Sequence, residues 1–191
     1  MTNTRDSHRR QTVEAARRVS GADISGANYF GVVDNGITTT VNNSTIHDIG
    51  EVALNGTQHG VAVYYTGATA SGTFSGNTVL KYQKNGITVT NGASAILQNN
   101  IVTGEGGISY IAQNGIQISY GATAKLTGND VSLNNYLPAK VTACGLLIYK
   151  AAGVSASKNG ISYVKSENNF HDNEPTSATS ARAEASTPPT K

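Results

Sequence analysis

A solenoid of short, stacked β-strands is what this sequence predicts, and three observations predict it. Residues 85–102 (NGITVTNGASAILQNNIV), 114–131 (NGIQISYGATAKLTGNDV) and 144–161 (CGLLIYKAAGVSASKNGI) are variants of one pattern. Counted from the opening glycine, each places apolar or small residues at offsets 1, 3, 9, 11 and 16, with asparagine at 14. Self-similarity at a near-constant period marks a stacked repeat, in which each copy buries its apolar face only against its neighbours. Composition agrees: only 14% of the 191 residues are charged, 21 are glycine and none is tryptophan. That is far from a charge-rich helical bundle and too apolar for a disordered chain.

Taken in order, residues 1–19 form a polar, basic leader with Arg5, Arg9, Arg10, Arg17 and Arg18 against Asp6 and Glu14. Val13, Ala16 and Val19 share one face at helical spacing, which predicts a short amphipathic cap over the open end of the solenoid. The leader lacks the apolar run of a secretory signal, and Arg9-Arg10 is not followed by one. The solenoid is predicted over residues 20–174, and residues 175–191, rich in Ser, Thr, Ala and Pro, as a disordered tail.

The coils open at Gly31, Gly60, Gly86, Gly115 and Gly145. Val41, Phe74, Leu97, Leu126 and Ala156 form one predicted interior column, and Ile46, Val79, Val102, Val131 and Ile161 another. Period-two alternation turns these residues inward and their neighbours outward. Ser44, Asn77, Asn100, Asn129 and Asn159 form a third column at a turn. Stacked amides hydrogen-bond the coil above and below, and asparagine tolerates the left-handed backbone of a sharp bend. A parallel β-helix has a use for such a column; a helical or Greek-key protein does not. Variable segments between the asparagine column and the next glycine fall on one side, where repeat proteins carry their binding loops.

With these columns, the chain resembles the right-handed parallel β-helices of the pectin-lyase-like superfamily, and more narrowly the exported bacterial β-helix repeat proteins. The resemblance rests on residues 85–169, is strongest in AQNGIQISYGATAKLTGNDVS and ACGLLIYKAAGVSASKN, and extends back to Gly31. It implies an all-β, short, single-stranded solenoid of about five coils, secreted or displayed at the cell surface. The superfamily includes lyases, polygalacturonases, epimerases, sugar-binding modules and members without activity, so fold alone carries little function.

Polygalacturonase-like enzymes pair aspartates and add Gly-His-Gly and Arg-Ile-Lys. Here His59-Gly60 echoes the histidine motif with Gln58 in place of its first glycine, and neither an Asp-Asp pair nor an Arg-x-Lys exists. Lyases of the superfamily use an arginine base and calcium-binding acids. No arginine lies between Arg18 and Arg182, so Lys150 or Lys84 would have to serve. The candidate acid/base residues are His47, Asp48, Glu51 and His59, all in the first variable segment, where a carboxylate beside an imidazole tunes proton transfer near neutral pH. Glu105 is a further candidate acid or cation ligand. Calcium enters only with the lyase reading; the residues imply no other metal or cofactor.

The outward positions of the opening strands read Ala62, Thr88, Gln117 and Leu147, then Tyr64, Thr90, Ser119 and Tyr149, then Tyr65, Asn91, Tyr120 and Lys150. Rings stack on sugars and polar side chains meet hydroxyls, so Tyr64, Thr88, Thr90, Gln117, Ser119, Tyr120, Tyr149 and Lys150 are the expected polysaccharide-binding residues. The same residue types also suit any exposed β surface. Three functional classes therefore stand: a polysaccharide-binding β-helix, a lyase or epimerase of uronic-acid polymers, and a purely structural module. Lysines and acids balance over residues 20–170, which offers nucleic acid no basic stripe, and no apolar run spans a membrane. The one cysteine, Cys144, precedes an apolar strand and is expected as a small buried hydrophobe.

Overall fold

A computed structural model describes residues 17–137, 143–162 and 175–177 of the chain. Strands β1 (Arg17–Ser20) and β2 (Asp23–Ser25) form a partial first coil. Five coils of three strands follow. They are β3 (Phe30–Asn35), β4 (Thr38–Asn42) and β5 (Thr45–His47); then β6 (Val61–Thr66), β7 (Ser71–Ser75) and β8 (Thr78–Leu80). Next come β9 (Asn85–Thr90), β10 (Ser94–Gln98) and β11 (Ile101–Ile108), and β12 (Asn114–Ser119), β13 (Thr123–Thr127) and β14 (Asp130–Tyr136). The last coil has β15 (Cys144–Tyr149), β16 (Gly153–Ser157) and β17 (Gly160–Ser162), and β18 (Pro175–Ser177) runs antiparallel beside β17.

Equivalent strands stack in parallel into three sheets: β3-β6-β9-β12-β15 (sheet 1), β1-β4-β7-β10-β13-β16 (sheet 2) and β2-β5-β8-β11-β14-β17 (sheet 3). This is the predicted short parallel β-helix. The interior columns come out as the sequence places them. Val41, Phe74, Leu97, Leu126 and Ala156 are in register through sheet 2, and Ile46, Val79, Val102, Val131 and Ile161 through sheet 3.

Corners repeat as well. After sheet 2, Gly21, Asn43, Gly76, Asn99, Gly128 and Lys158 all hold φ between 49° and 67°. Between sheets 1 and 2, Gly36, Gly67, Asn91, Tyr120 and Lys150 hold φ between 48° and 95°. Glycine and asparagine occupy most of these positions because they carry little penalty in the left-handed region. The opening glycines answer a different demand: a Cβ on Gly86 would meet the Gly115 carbonyl and Val102 Cγ1, both at 2.6 Å.

The asparagine column is a one-way ladder. Asn100 Oδ1 accepts from the backbone N–H (3.0 Å) and Nδ2 (3.1 Å) of Asn77, and Asn100 Nδ2 donates to Phe74 O and Asn129 Oδ1 at 2.8 Å each. Asn129 and Asn159 repeat these contacts one coil later. At the first full coil Ser44 ends the ladder: its N–H donates to Asn77 Oδ1, and its Oγ accepts from Ala22 N–H.

The structure corrects four expectations. Residues 17–19 lie in β1, paired to β4 with Val19 against the core, and no helix occurs among the described residues; the rest of the expected cap falls outside them. The exposed edge of β4 offers Arg17–Ser20 backbone pairing that an isolated helical turn of the same residues lacks. The coils therefore start at Arg17, ahead of both residue 20 and Gly31. Ala62, not Gly60, occupies the opening-glycine column, since Val61 and Val63 align with Asn85 and Ile87. That shift of two residues sends Ala62 and Tyr65 inward, both fully buried, and aligns Tyr64 with Thr88 rather than Thr90. Finally, residues 175–177, read as part of a disordered tail, form β18; the remainder of that tail is outside the described residues. Cys144 is buried, as its place before an apolar strand implies.

Two buried tyrosines have opposite surroundings. Tyr82 OH donates to Asn134 Oδ1 at 2.5 Å, whereas Tyr65 OH, Thr39 Oγ1 and Asp34 Oδ2 have no hydrogen-bond partner among the described residues. Burial and the nearby Asp34 push the Tyr65 hydroxyl far above its ordinary value of 10. Tyr82→Phe should cost about 1 kcal/mol in urea unfolding, while Tyr65→Phe, which removes an unpartnered hydroxyl, should be neutral or stabilising. Asn100→Ala strands two N–H donors of Asn77 and the Phe74 carbonyl in the interior and leaves Asn129 Oδ1 one donor of its two, and a loss of about 3 kcal/mol is expected in the same measurement.

Candidate functional site

Sheet 1 carries the outward rows that the sequence singles out. Because interior residues alternate with exterior ones, Val33, Tyr64, Thr88, Gln117 and Leu147 form one row along the axis, and Asn35, Thr66, Thr90, Ser119 and Tyr149 the next. The middle of this face is a recessed polar floor. Thr88, Thr90 and Ser119 are buried, and Gln117 is half-buried. Their polar atoms are mutually engaged: Asn85 Nδ2 donates to Thr88 Oγ1 (2.9 Å) and Gln117 Oε1 (3.0 Å), Gln117 Nε2 to Ser119 Oγ (3.1 Å), and Ser119 to Thr90 Oγ1 (3.0 Å).

Rings stand at both ends of the floor. On the last two coils Tyr120 (53% exposed) and Tyr149 (37%) meet edge to face at 5.4 Å, with Lys150 Nζ 5.2 Å from the Tyr149 ring centre. On the first two coils Phe30 stacks on half-buried Tyr64 at 4.9 Å, and Tyr29 stacks on His59 at 4.4 Å. Tyr29 and Phe30 were not among the residues read as functional. Their only sequence signal is an aromatic pair directly before Gly31.

The four acid/base candidates separate into two groups. His59 Nε2 lies 2.9 Å from Glu51 Oε1 and 3.0 Å from Asn28 Oδ1, beneath the Tyr29 ring. This group borders the aromatic end of sheet 1. Buried Gln83 holds the loop that carries it, accepting from the Glu51 and Asn55 N–H groups and donating to Thr57 O. His47 sits elsewhere, at the end of β5 in sheet 3. Its Nδ1 is 2.5 Å from Asp48 Oδ2 and its Nε2 2.7 Å from Asp23 Oδ1, while Lys81 Nζ approaches Asp48 Oδ1 at 3.5 Å. Asp48 occupies a left-handed corner (φ 51°), which aims its carboxylate back at the preceding imidazole. No hydrogen bond or ion pair among the described residues joins the two groups. Glu105 lies in β11, its N–H donating to Gln113 Oε1, and Lys84 donates to Ala112 O, its ammonium pushed down by burial. No group of three or more His, Cys, Asp or Glu side chains gathers into a metal site among the described residues. Nor is any helix there long and apolar enough to cross a membrane.

The family described as right-handed β-helix region matches residues 59–180, nearly two-thirds of the chain. The chain belongs to the right-handed β-helix family. No curated protein and no solved structure matches it. The partial coil and the first full coil lie upstream of the matched span, which begins at His59, so the His47 group and the Asn28 and Glu51 partners of His59 rest on geometry alone.

Asp48 first, then Asp23, raises the His47 pKa above its ordinary 6.5, and His47 lowers that of Asp48 below 3.8. The His47–Asp23 contact ties the partial first coil to the next. For a raised imidazole the stabilisation is complete below pH 6.5 and is lost as pH climbs through the raised value. On the acid side it is lost as pH falls through the lowered value of Asp48, below 3.8. Between about pH 6 and about pH 8.5 the wild-type protein should therefore lose more Tm than His47→Gln does, in paired thermal melts. Parallel curves would remove the clasp.

Proposed function

We infer that this β-helix protein binds polysaccharide on the outward face of sheet 1. The reading is supported above all by the pair of exposed aromatic platforms, Phe30/Tyr64 and Tyr120/Tyr149, at the two ends of one sheet. Tyr64 and Tyr149 are three rungs apart, roughly 14 Å at the ordinary strand spacing. A glycan lying along the axis would stack a ring on each platform and cross the recessed floor between them. Aromatic side chains give large contact areas at low entropic cost, and Lys150 beside Tyr149 adds a donor for hydroxyl or carboxylate oxygens. Secretion, or display at the cell surface, fits such a ligand and is part of the same proposal.

One observation favours a second reading, a lyase or epimerase of uronic-acid polymers. His59 and Glu51 make an imidazole–carboxylate pair 2.9 Å apart at the edge of an aromatic platform, the arrangement a proton transfer next to a bound sugar needs. His47 and Asp48 are engaged in the clasp instead and do not enter this reading. Calcium, which a lyase of this kind would hold, meets no gathered acid cluster among the described residues, and no step is routed through it.

A glycan array followed by titration tests both. Tyr120→Ala with Tyr149→Ala should weaken binding of an array-positive glycan by about tenfold or more. Binding that survives both substitutions removes the sheet 1 proposal. Release of unsaturated or epimerised sugar from a uronic-acid polymer, abolished by His59→Ala, would replace it with the enzymatic reading.

A further inference from the structure

The outer face of sheet 2 carries a second, differently built surface. Its rows are fixed by the register: Thr38, Ser71, Ser94 and Thr123 in one, and Arg18, Thr40, Thr73, Ile96 and Lys125 in the next. All of these except Arg18, which continues the second row beyond it, line a shallow groove of about 460 Å³ running along the axis. Adjacent rungs are cross-linked at its floor, where Thr38 Oγ1 and Ser71 Oγ lie 2.9 Å apart.

Charge on this wall is one-sided. Sheet 2 and the corners that bound it contain Arg18 and Lys125 on the face, Arg17 beside Arg18 in β1, and Lys150 and Lys158 at the margins, with no carboxylate. Every Asp and Glu among the described residues lies on sheet 1, sheet 3 or the loops after sheet 3. Near-balance over the whole body hides this segregation. Arg18 and Lys125 are four rungs apart, roughly 19 Å, with a hydroxyl ladder between them.

We propose that the sheet 2 groove binds a linear acidic glycan, a carboxylate- or sulfate-bearing polysaccharide laid along the solenoid axis. Hydroxyls that both donate and accept, repeated once per rung, match a polymer that presents hydroxyls at every sugar. Widely spaced cations without acids match a polymer of sparse negative charge. A nucleic acid is the poorer fit: its charge is far denser, and none of the groove's lining side chains is aromatic. A second copy of the same face would set cation against cation. The site is separate from the sheet 1 platforms and stands if they fail.

Affinity electrophoresis of the full chain through gels containing polygalacturonate, chondroitin sulfate or neutral dextran tests the proposal. Retardation is expected in one or both acidic gels and not in dextran, and it should fade as salt is raised; the two acidic gels decide between carboxylate and sulfate. Arg18→Glu with Lys125→Glu should weaken the acidic interaction by about tenfold or more. Thr40→Val with Thr73→Val, nearly isosteric changes, should weaken it without altering net charge, and thermal melts check that each variant is folded. Tyr120→Ala with Tyr149→Ala should leave it unchanged, which keeps the result apart from the sheet 1 proposal. The proposal is overturned by equal retardation in dextran, by none in either acidic gel, by tighter binding to duplex DNA than to either acidic glycan, or by folded charge-reversed protein that binds like wild type.

Discussion

Every other feature of this molecule depends on the amide ladder at the corner between sheets 2 and 3. A turn buried inside a stack of coils leaves backbone N–H and C=O groups that neither strand ladder reaches, and unpaired they would each cost about 1–3 kcal/mol. Each asparagine resolves two of them at once, its oxygen taking the N–H of the asparagine one coil earlier and its Nδ2 closing a carbonyl of that same coil. The amide–amide bonds all point the same way, each Nδ2 donating to the oxygen of the asparagine one coil later. A coil displaced by one residue would break its ladder contacts on both sides and turn its aliphatic residues outward. Register is therefore fixed at one corner, and the three sheets inherit it.

That dependence explains what was legible in the sequence. The ladder and the two aliphatic columns beside it are measured over short, constant offsets from the opening glycine in coils three to five, and each was placed correctly. Coil two was misread because the 13-residue segment 48–60 ends in His59-Gly60, which imitates a coil opening, whereas the structure places Ala62 in that column. The error stayed local: it moved Tyr65 from an expected outward row into the core and left Phe74, Asn77 and Val79 untouched. The helical reading of residues 17–19 failed for a different reason. Eight residues with three apolar positions fit a helical face and a strand equally well, and the open edge of β4, invisible in local sequence, decides for Arg17–Ser20.

The site was less legible than the fold because its contacts join coils through loops of unequal length. His59 finds Asn28, 31 residues earlier, and His47 finds Asp23, 24 residues earlier. The first spacing is the β3–β6 register, which the false opening at Gly60 hides in the sequence, and the second is two residues more than the β2–β5 register. Grouping His47, Asp48, Glu51 and His59 by proximity in sequence therefore merged two clusters that the fold assigns to different corners. The aromatic platforms were half visible: Tyr120 and Tyr149 fall in coils that obey the pattern, while Tyr29 and Phe30 precede the first coil that shows it.

A solenoid of this kind gives each sheet a single strand from every coil, so the chemistry of a face is set by one or two positions in the repeat. Charge and aromatic character can then differ from face to face without disturbing the core, which sees only the alternate residues. The three faces here have taken different compositions. Rings flank a buried polar floor on sheet 1, hydroxyls and cations occupy sheet 2, and sheet 3 carries Asp23, Glu105 and Asp130. Rows repeated at one strand spacing recognise extended partners better than compact ones, because a small ligand meets only two or three rungs while a polymer meets them all. The physical argument for polymer binding therefore comes from the one-dimensional lattice the ladder enforces, and the side chains on each face determine which polymer it suits.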